Sequence, residues 1–72
     1  MKKIIISLIL IIGIVQFYNE NKGFGYVKSL NGETYFIYEE GLIDEIEKGD
    51  TIYFDSRDTR KGLEAINVKL KK

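Results

Sequence analysis

The stretch that decides the fold lies at residues 22–27 and reads Lys22-Gly23-Phe24-Gly25-Tyr26-Val27. Its two aromatic residues are two positions apart, so both rings point to the same face of a β-strand. A glycine precedes each ring and leaves room for a flat ligand, and lysines stand at positions 22 and 28. Adjacent exposed rings beside cations form a surface on which unpaired bases stack. The alternative is a strand whose aromatic side chains belong to the hydrophobic core.

The composition restricts the classes of function open to this chain. Its 72 residues suffice for one small domain. It contains no cysteine and no histidine, so disulfides, zinc–thiolate sites and Ser-His or Cys-His nucleophilic catalysis are excluded. We therefore expect a non-enzyme without cofactor or metal. The cysteine count gives no sign of an oxidising compartment, and we expect a cytoplasmic protein.

The charges are balanced overall but segregated along the sequence. Eleven basic and eleven acidic residues give a formal net charge of zero. Acidic residues crowd positions 39–50, with Lys48 as the one cation among them. Lysines flank the aromatic stretch, and Arg57, Arg60 and Lys61 cluster in a later predicted loop. Because phosphate attraction depends on the local field, this segregation permits nucleic-acid binding despite the zero net charge.

Short alternating runs separated by turn signals predict an all-β domain. Five strands are expected, at residues 13–18, 24–29, 33–38, 51–55 and 64–70. A turn is predicted at residues 19–23, and Asn31-Gly32 favours a type I′ hairpin turn. Residues 40–50 form a polar connection with room for one short helical turn near Leu42, Ile43 and Ile46, and residues 56–62 a charged loop. Five short antiparallel strands fit a small closed oligonucleotide-binding (OB) barrel.

Strand alternation predicts an outward aromatic surface. One face receives Phe24, Tyr26, Lys28, Phe36 and Tyr38, and the opposite face receives Val27, Tyr35 and Ile37. A lysine on the first face argues that this face is exposed. Pairing through the Asn31-Gly32 hairpin makes the two aromatic pairs neighbours. A soluble monomer seldom exposes four adjacent rings without a use.

Alternation does not decide whether Phe17 points inward or outward, but it predicts the faces of the fourth and fifth strands. Strict alternation puts Phe17 on the side of Val15, in the core, unless a β-bulge turns it outward. In the fourth strand, one side is assigned to Ile52 and Phe54. In the fifth strand, the inner face is assigned to Ile66, Val68 and Leu70.

Four stretches of the chain resemble the cold-shock domain, a five-stranded OB barrel that binds single-stranded RNA and DNA. They read GIVQFYNENKGFGYV at residues 13–27, YFIY at 35–38, KGD followed by IYF within 48–54, and KGLEAINV at 61–68. The resemblance implies that Phe17, Phe24, Tyr26 and Phe36 stack on successive bases, with Phe17 projecting outward and Lys22 near the phosphates. It also implies a role in RNA chaperoning or in the regulation of transcription or translation.

The chain departs from the family pattern in ways that predict weaker binding. Gln16 replaces a lysine, Tyr38 replaces a histidine, and Glu39 replaces a phenylalanine. The connection after the third strand is short and lacks the family's loop aromatic. The RNA-recognition motif shares the Lys-Gly-Phe-Gly-Tyr-Val pattern, but it requires an aromatic residue where this chain has Ser29, and it requires two helices.

The predicted nucleic-acid site gathers the residues that these arguments select: Phe17, Lys22, Phe24, Tyr26, Lys28, Phe36, Tyr38, Arg60 and Lys61. The expected partner is single-stranded RNA or DNA. A second hypothesis keeps the OB fold but assigns it to protein interaction or membrane tethering, with weak or no nucleic-acid binding. Zero net charge, Glu39 and the apolar N-terminus support this second hypothesis.

Residues 1–12 form an apolar extension ahead of the domain at 13–72, with lysines at positions 2 and 3. Its start resembles a signal peptide, but no small-residue cleavage site precedes Gly13. A helix over residues 4–15 covers about 18 Å, against about 30 Å of bilayer hydrocarbon. The β-branched residues favour a strand that extends the first strand or pairs with another chain. We therefore expect homo-oligomerisation through residues 1–12 in preference to membrane contact.

Overall fold

The structure, a computed structural model, describes residues 10–71. The strands are β1 (Ile11–Asn19), β2 (Phe24–Ser29), β3 (Thr34–Tyr38), β4 (Thr51–Thr59) and β5 (Gly62–Leu70), with a 3₁₀ turn at Glu39–Gly41. They close into a barrel in the order β1-β2-β3-β5-β4, which confirms the all-β OB prediction. Of the predicted extension at residues 1–12, Ile11 and Ile12 belong to β1; for residues 1–9, its prediction as a strand, association element, signal or anchor lies outside the described residues. Within residues 10–71 no helix is long and apolar enough to cross a membrane.

One pairing differs from the predicted antiparallel arrangement. β3 and β5 run parallel, with Phe36 opposite Glu64 and Ile37 opposite Ala65, whereas the other pairings are antiparallel. Five strands in a closed ring cannot alternate in direction at every contact, so one neighbouring pair has to be parallel. The connection after β3 makes this crossover possible and carries the early 3₁₀ turn, where the Leu42 N–H bonds to the Glu39 carbonyl at 3.1 Å.

The predicted charged loop at residues 56–62 is instead a long hairpin. β4 continues to Thr59 and β5 begins at Gly62, and the two strands pair from Ser56 opposite Ala65 to Thr59 opposite Gly62. Only Arg60 and Lys61 remain in the turn. The Thr59 hydroxyl closes this turn by donating to the Gly62 carbonyl at 2.8 Å. Both faces of the outer hairpin are largely solvated, so its strands lack the hydrophobic alternation that reveals a strand.

The β2–β3 hairpin forms where it was predicted, but its turn is not type I′. The Gly32 N–H bonds to the Ser29 carbonyl at 2.9 Å. A type I′ turn needs positive φ at both central residues, here Leu30 and Asn31, and neither has it. Gly32 instead has φ +93°, just after the turn. Asn31 accepts the backbone N–H of Glu33 at 3.3 Å, which satisfies a donor inside the loop.

The buried residues confirm the predicted inner faces of β2, β3 and β4 and correct the predicted inner face of β5. The buried residues of the core are Val15, Val27, Tyr35, Ile37, Ile46, Ile52, Phe54, Ala65 and Val68. Ile66 was predicted to point inward but lies outside this set, whereas Ala65 is fully buried. The cause is a bulge in β5, where Asn67 adopts φ +52° and the register with β4 shifts. This extra residue reverses the alternation, so Ala65 and Val68 both face the core.

Candidate nucleic-acid interface

A β-bulge in β1 decides the orientation of Phe17. Val15 pairs with Val27 and Phe17 pairs with Tyr26, so Gln16 has no partner on β2. The extra residue reverses the alternation of β1. As a result Val15 is 1% exposed and Phe17 is 37% exposed. Of the two possibilities that the sequence left open, the outward one is observed.

The register of β2 and β3 brings the two predicted aromatic pairs together. Phe24 lies opposite Tyr38, and Tyr26 lies opposite Phe36. Phe24, Tyr26 and Phe36 are 37–39% exposed, and Tyr38 is half-buried. The predicted outward orientation of this face is therefore observed. We call the five residues Phe17, Phe24, Tyr26, Phe36 and Tyr38 the aromatic face.

Ring contacts within the aromatic face hold its side chains in place. The ring centroids of Phe17 and Phe24 are 5.8 Å apart with an edge-to-face angle of 64°. Those of Phe17 and Tyr26 are 5.7 Å apart with an angle of 37°. Edge-to-face and tilted contacts of this kind are favourable between aromatic rings. Phe17 therefore links the two rings of β2, and all three side chains remain 37–39% exposed.

Gly23 and Gly25 are required by the backbone conformation and by strand packing, not by access of a ligand to the rings. Gly25 faces β1, where an added Cβ would lie 2.7 Å from the Cα of Tyr18. Gly23 has φ +71° and completes the β1–β2 turn, with its N–H bonded to the Asn19 carbonyl at 2.7 Å. The expectation that these glycines make room for a ligand is wrong, because their missing side chains accommodate a neighbouring strand and a left-handed turn.

The predicted cations lie at separate points of the barrel. Lys22 is exposed in the β1–β2 turn, and its backbone N–H bonds to Asn19 Oδ1 at 3.1 Å. Lys28 is exposed on β2, two residues beyond Tyr26. Arg60 and Lys61 form the tip of the β4–β5 hairpin. The predicted cations therefore do not form a single cluster.

The end of this hairpin next to its turn reaches the aromatic face. A Cβ added at Gly62 would lie 3.8 Å from Cε2 of Phe36, so the backbone here is close to that ring. Arg57 pairs across the hairpin with Glu64, whose Oε1 lies 3.1 Å from Nη2, and Glu64 is the β5 partner of Phe36. Sequence reasoning grouped Arg57 with the loop cations and missed this ion pair. Its signal is a basic and an acidic residue seven positions apart, which is informative only once the hairpin is known.

Carboxylates border the aromatic face at the end where β1 and β3 finish. The Glu39 N–H bonds to the Gly23 carbonyl at 3.0 Å, and its side chain lies against Gly23. Burial raises the pKa of Tyr18, and the negative charges of Glu39, Glu20 and Glu40 raise it further. The face is thus electrostatically asymmetric, because negative charge gathers at the end where β1 and β3 finish, whereas Lys28 lies toward the other end of β2.

An open cavity next to Phe17 is lined by Glu20 and by further carboxylates. It has a volume of about 690 Å³ and is lined in part by Phe17, Tyr18, Glu20, Glu45, Glu47 and Asp50. The Asp50 carboxylate accepts the Glu47 N–H at 2.9 Å, which ties the loop together. Within residues 10–71 no three acidic side chains are grouped so that they could hold a metal ion.

Comparison with known proteins connects this geometry to a family. No protein-family model matches the chain. The cold shock-like protein CspG of Shewanella violacea is 31% identical over 61 residues, which cover 78% of this chain and 87% of that protein. The cold shock-like protein CspC of Bacillus cereus is 30% identical over 60 residues, covering 78% and 92%. The major cold shock protein of Streptococcus pyogenes serotype M1 is 28% identical over 60 residues.

A solved structure shares the fold. The Drosophila Unr CSD456 structure superimposes with a TM-score of 0.73 at 22% identity, covering 88% of this chain. This chain corresponds to 27% of the length of that one, so the likeness concerns one barrel within a longer protein. With the closed barrel, the outward aromatic face and relatives at 30% identity or more over most of the sequence, the chain belongs to the cold-shock protein family.

Proposed function

We propose that the protein binds single-stranded RNA or DNA by stacking bases on the aromatic face. One observation carries this proposal: rings from β1, β2 and β3 share one outward surface, and Phe17, Phe24, Tyr26 and Phe36 are each 37–39% exposed. Each base stacked on a ring contributes about 1–3 kcal/mol and does so for any base. The expected ligand is therefore single-stranded nucleic acid with little sequence preference.

The charge distribution supports a path for the phosphates away from the end of the face near Tyr18. Lys28 follows Tyr26 on β2, and the Arg60-Lys61 turn immediately precedes Gly62, which approaches Phe36, whereas the negative charges of Glu39, Glu20 and Glu40 act on Tyr18. Phosphates that follow these cations avoid the negative field around Tyr18. With Lys22 included, four cations predict a slope of about −3 for log affinity against log salt.

Stacking is largely independent of base identity, so a protein that binds in this way can bind many RNA sequences transiently. Gln16 supplies no positive charge and Glu39 a negative one at the edges of the face, so we expect weak binding. RNA chaperoning, or the regulation of transcription or translation through unstructured RNA, fits such binding. The cold-shock relatives and the aromatic face together support this role.

A titration with a short oligothymidine at low salt tests the proposal. Binding is followed by the anisotropy of a labelled oligonucleotide and by quenching of tyrosine emission, since the chain has five tyrosines and no tryptophan. Phe24→Ala and Phe36→Ala should weaken binding, and a duplex of the same length should bind poorly. Ile43→Ala serves as the matched control, because Ile43 is 57% exposed and lies outside the aromatic face.

One observation favours the second hypothesis of a protein-interaction module. The carboxylates beside Phe17 and Tyr18 would attract a cationic protein segment rather than a polyanion. The same titration separates the two. If the parent protein fails to bind oligothymidine or oligouridine at low salt, the nucleic-acid proposal is refuted. If it binds and both ring variants bind equally well, stacking on this face is refuted.

A further inference from the structure

A second apolar surface lies toward the N-terminal end of β1, and Lys28 separates it from the aromatic face on β2. Leu10 and Ile14 are 58% and 41% exposed, and Leu30 in the β2–β3 turn is 72% exposed. Ile12 lies between them, half-buried, and its carbonyl accepts the Leu30 N–H at 3.1 Å. Leu10, Ile12 and Leu30 line a common shallow groove. We call Leu10, Ile12, Ile14 and Leu30 the aliphatic patch.

The aliphatic patch cannot serve the functions already assigned to the barrel. Its side chains carry no rings on which bases could stack. Nor can β1 accept an additional strand here, because Ile14 is paired with Lys28 on one side and with Thr51 on the other. A ligand of this surface therefore meets side chains rather than free backbone groups.

Lysines stand on both sides of the aliphatic patch. Lys28 lies opposite Ile14 on β2. On the other side Tyr53 lies opposite Ile12, and Lys69 lies opposite Tyr53. The backbone of Lys71 bonds to the Thr51 carbonyl at 2.9 Å, which brings a third lysine to the same side.

The nearest carboxylates already have hydrogen-bond partners. Asp55 accepts the side-chain amide of Asn67 at 3.2 Å. Glu33 accepts the Tyr35 hydroxyl at 3.0 Å. These bonds come from uncharged donors, so Asp55 and Glu33 keep their negative charge. The three lysines nevertheless outnumber these two carboxylates, and the excess of positive charge at the rim is complementary to a negatively charged surface.

We propose that the aliphatic patch is a contact site for an anionic lipid bilayer. Its exposed aliphatic side chains enter the headgroup region, and the three lysines meet the lipid phosphates. The half-buried ring of Tyr53 has the amphipathic character suited to this depth. In the sequence, apolar residues at positions 4–6 and 8–9 and lysines at positions 2 and 3 precede Leu10.

A bilayer fits this surface better than a second copy of the chain. In a two-fold dimer the same patch faces itself, so the lysine rims of both copies come together. Like charges at such a contact oppose association. An anionic bilayer instead gives each lysine an opposite charge while it buries the same aliphatic side chains.

Vesicle co-sedimentation of the full chain tests this proposal. The parent protein should bind vesicles of phosphatidylglycerol and phosphatidylcholine but not vesicles of phosphatidylcholine alone, and added salt should release it. Leu30→Ser should lower the partition coefficient about tenfold or more, because the Leu30 side chain loses its burial in lipid. Lys69→Gln should lower it about fivefold, the worth of one lysine at an anionic surface.

Matched controls show whether the patch itself makes the contact. Lys48→Gln changes net charge as Lys69→Gln does, but it lies among the carboxylates of residues 44–50, so it should retain more vesicle binding than Lys69→Gln. Circular dichroism verifies that each variant folds. The proposal is overturned if Leu30→Ser binds as the parent does, or if neutral and anionic vesicles bind alike. It is also overturned if light scattering finds a dimer that Leu30→Ser dissociates while no vesicle binding occurs.

Discussion

Phe17 lies against the ring of Tyr26, with 5.7 Å between the ring centroids, because the bulge at Gln16 places it opposite Tyr26 on the outward side of the barrel. Without the bulge, Phe17 would point into the core beside Val15. One unpaired residue in β1 thus determines whether the aromatic face has a member from β1. The stacking surface consequently depends on backbone register as well as on the identity of its residues.

Removing single rings should weaken nucleic-acid binding. Phe17→Ala and Phe24→Ala should each cost about 1–3 kcal/mol of binding free energy to oligothymidine. Both variants should also lose some stability, because the side chains are only 37% exposed and their rings are in contact. Fluorescence anisotropy of the folded variants and urea denaturation measure the two effects separately. Unchanged affinity in a folded but less stable variant would mean that the ring supports the fold rather than the ligand.

Restoring a cation at Gln16 should strengthen binding. Gln16 is exposed, and its amide donates to the Ile14 carbonyl at 3.1 Å, so a lysine can replace it without disturbing the core. Gln16→Lys should raise low-salt affinity and steepen the salt slope by about 0.7, the value for one added contact with a single strand. Anisotropy titrations at several salt concentrations give both quantities. An unchanged slope would place the phosphates away from the bulge.

Two glycine variants should separate crowding from backbone strain. Gly25→Ala places a Cβ 2.7 Å from the Tyr18 Cα, and we expect a loss toward the upper end of about 1–3 kcal/mol in the free energy of unfolding. Gly32→Ala meets nothing within 4 Å, although its φ is +93°, and should cost only about 1 kcal/mol. Urea denaturation compares them. The reverse order would contradict the close approach of β1 and β2.

Alkaline pH should destabilise the protein through Tyr35. Burial, followed by the hydrogen bond and charge of Glu33, raises the pKa of Tyr35 above its ordinary 10.0. Below the unfolded pKa both states hold the proton, so the full stability is present. As the pH rises through that value toward the folded pKa, only the unfolded state loses its proton, and the free energy of unfolding falls.

The matched variant for this effect is Tyr35→Phe, which removes the titrating hydroxyl. Urea denaturation at about pH 8 and about pH 11 should show a smaller loss of stability in Tyr35→Phe than in the parent. Tyr18, whose pKa is also raised, remains in both proteins and cancels in the comparison. The interpretation fails if the two proteins lose the same stability.

Much of the aromatic face could be predicted from local patterns. Phe24, Tyr26 and Phe36 point outward as alternation and Lys28 indicated, and Val27 and Ile37 point inward. The roles of Gly23 and Gly25 could not be predicted in the same way. Gly23 is required by a turn with positive φ, and Gly25 is required by the close approach of the β1 backbone. Neither constraint is visible in residues 22–27 alone.

Periodicity and turn residues were sufficient for an all-β chain, for β2, for the hairpin that joins it to β3 and for a barrel of the OB type, because these depend on neighbours within a few residues. The outward turn of Phe17, the inward turn of Ala65, the parallel β3–β5 contact and the Arg57–Glu64 pair were decided only in the tertiary structure. Each of them depends on the register of a partner strand. A bulge of one residue reverses every side chain beyond it, and a ring of five strands requires one parallel contact.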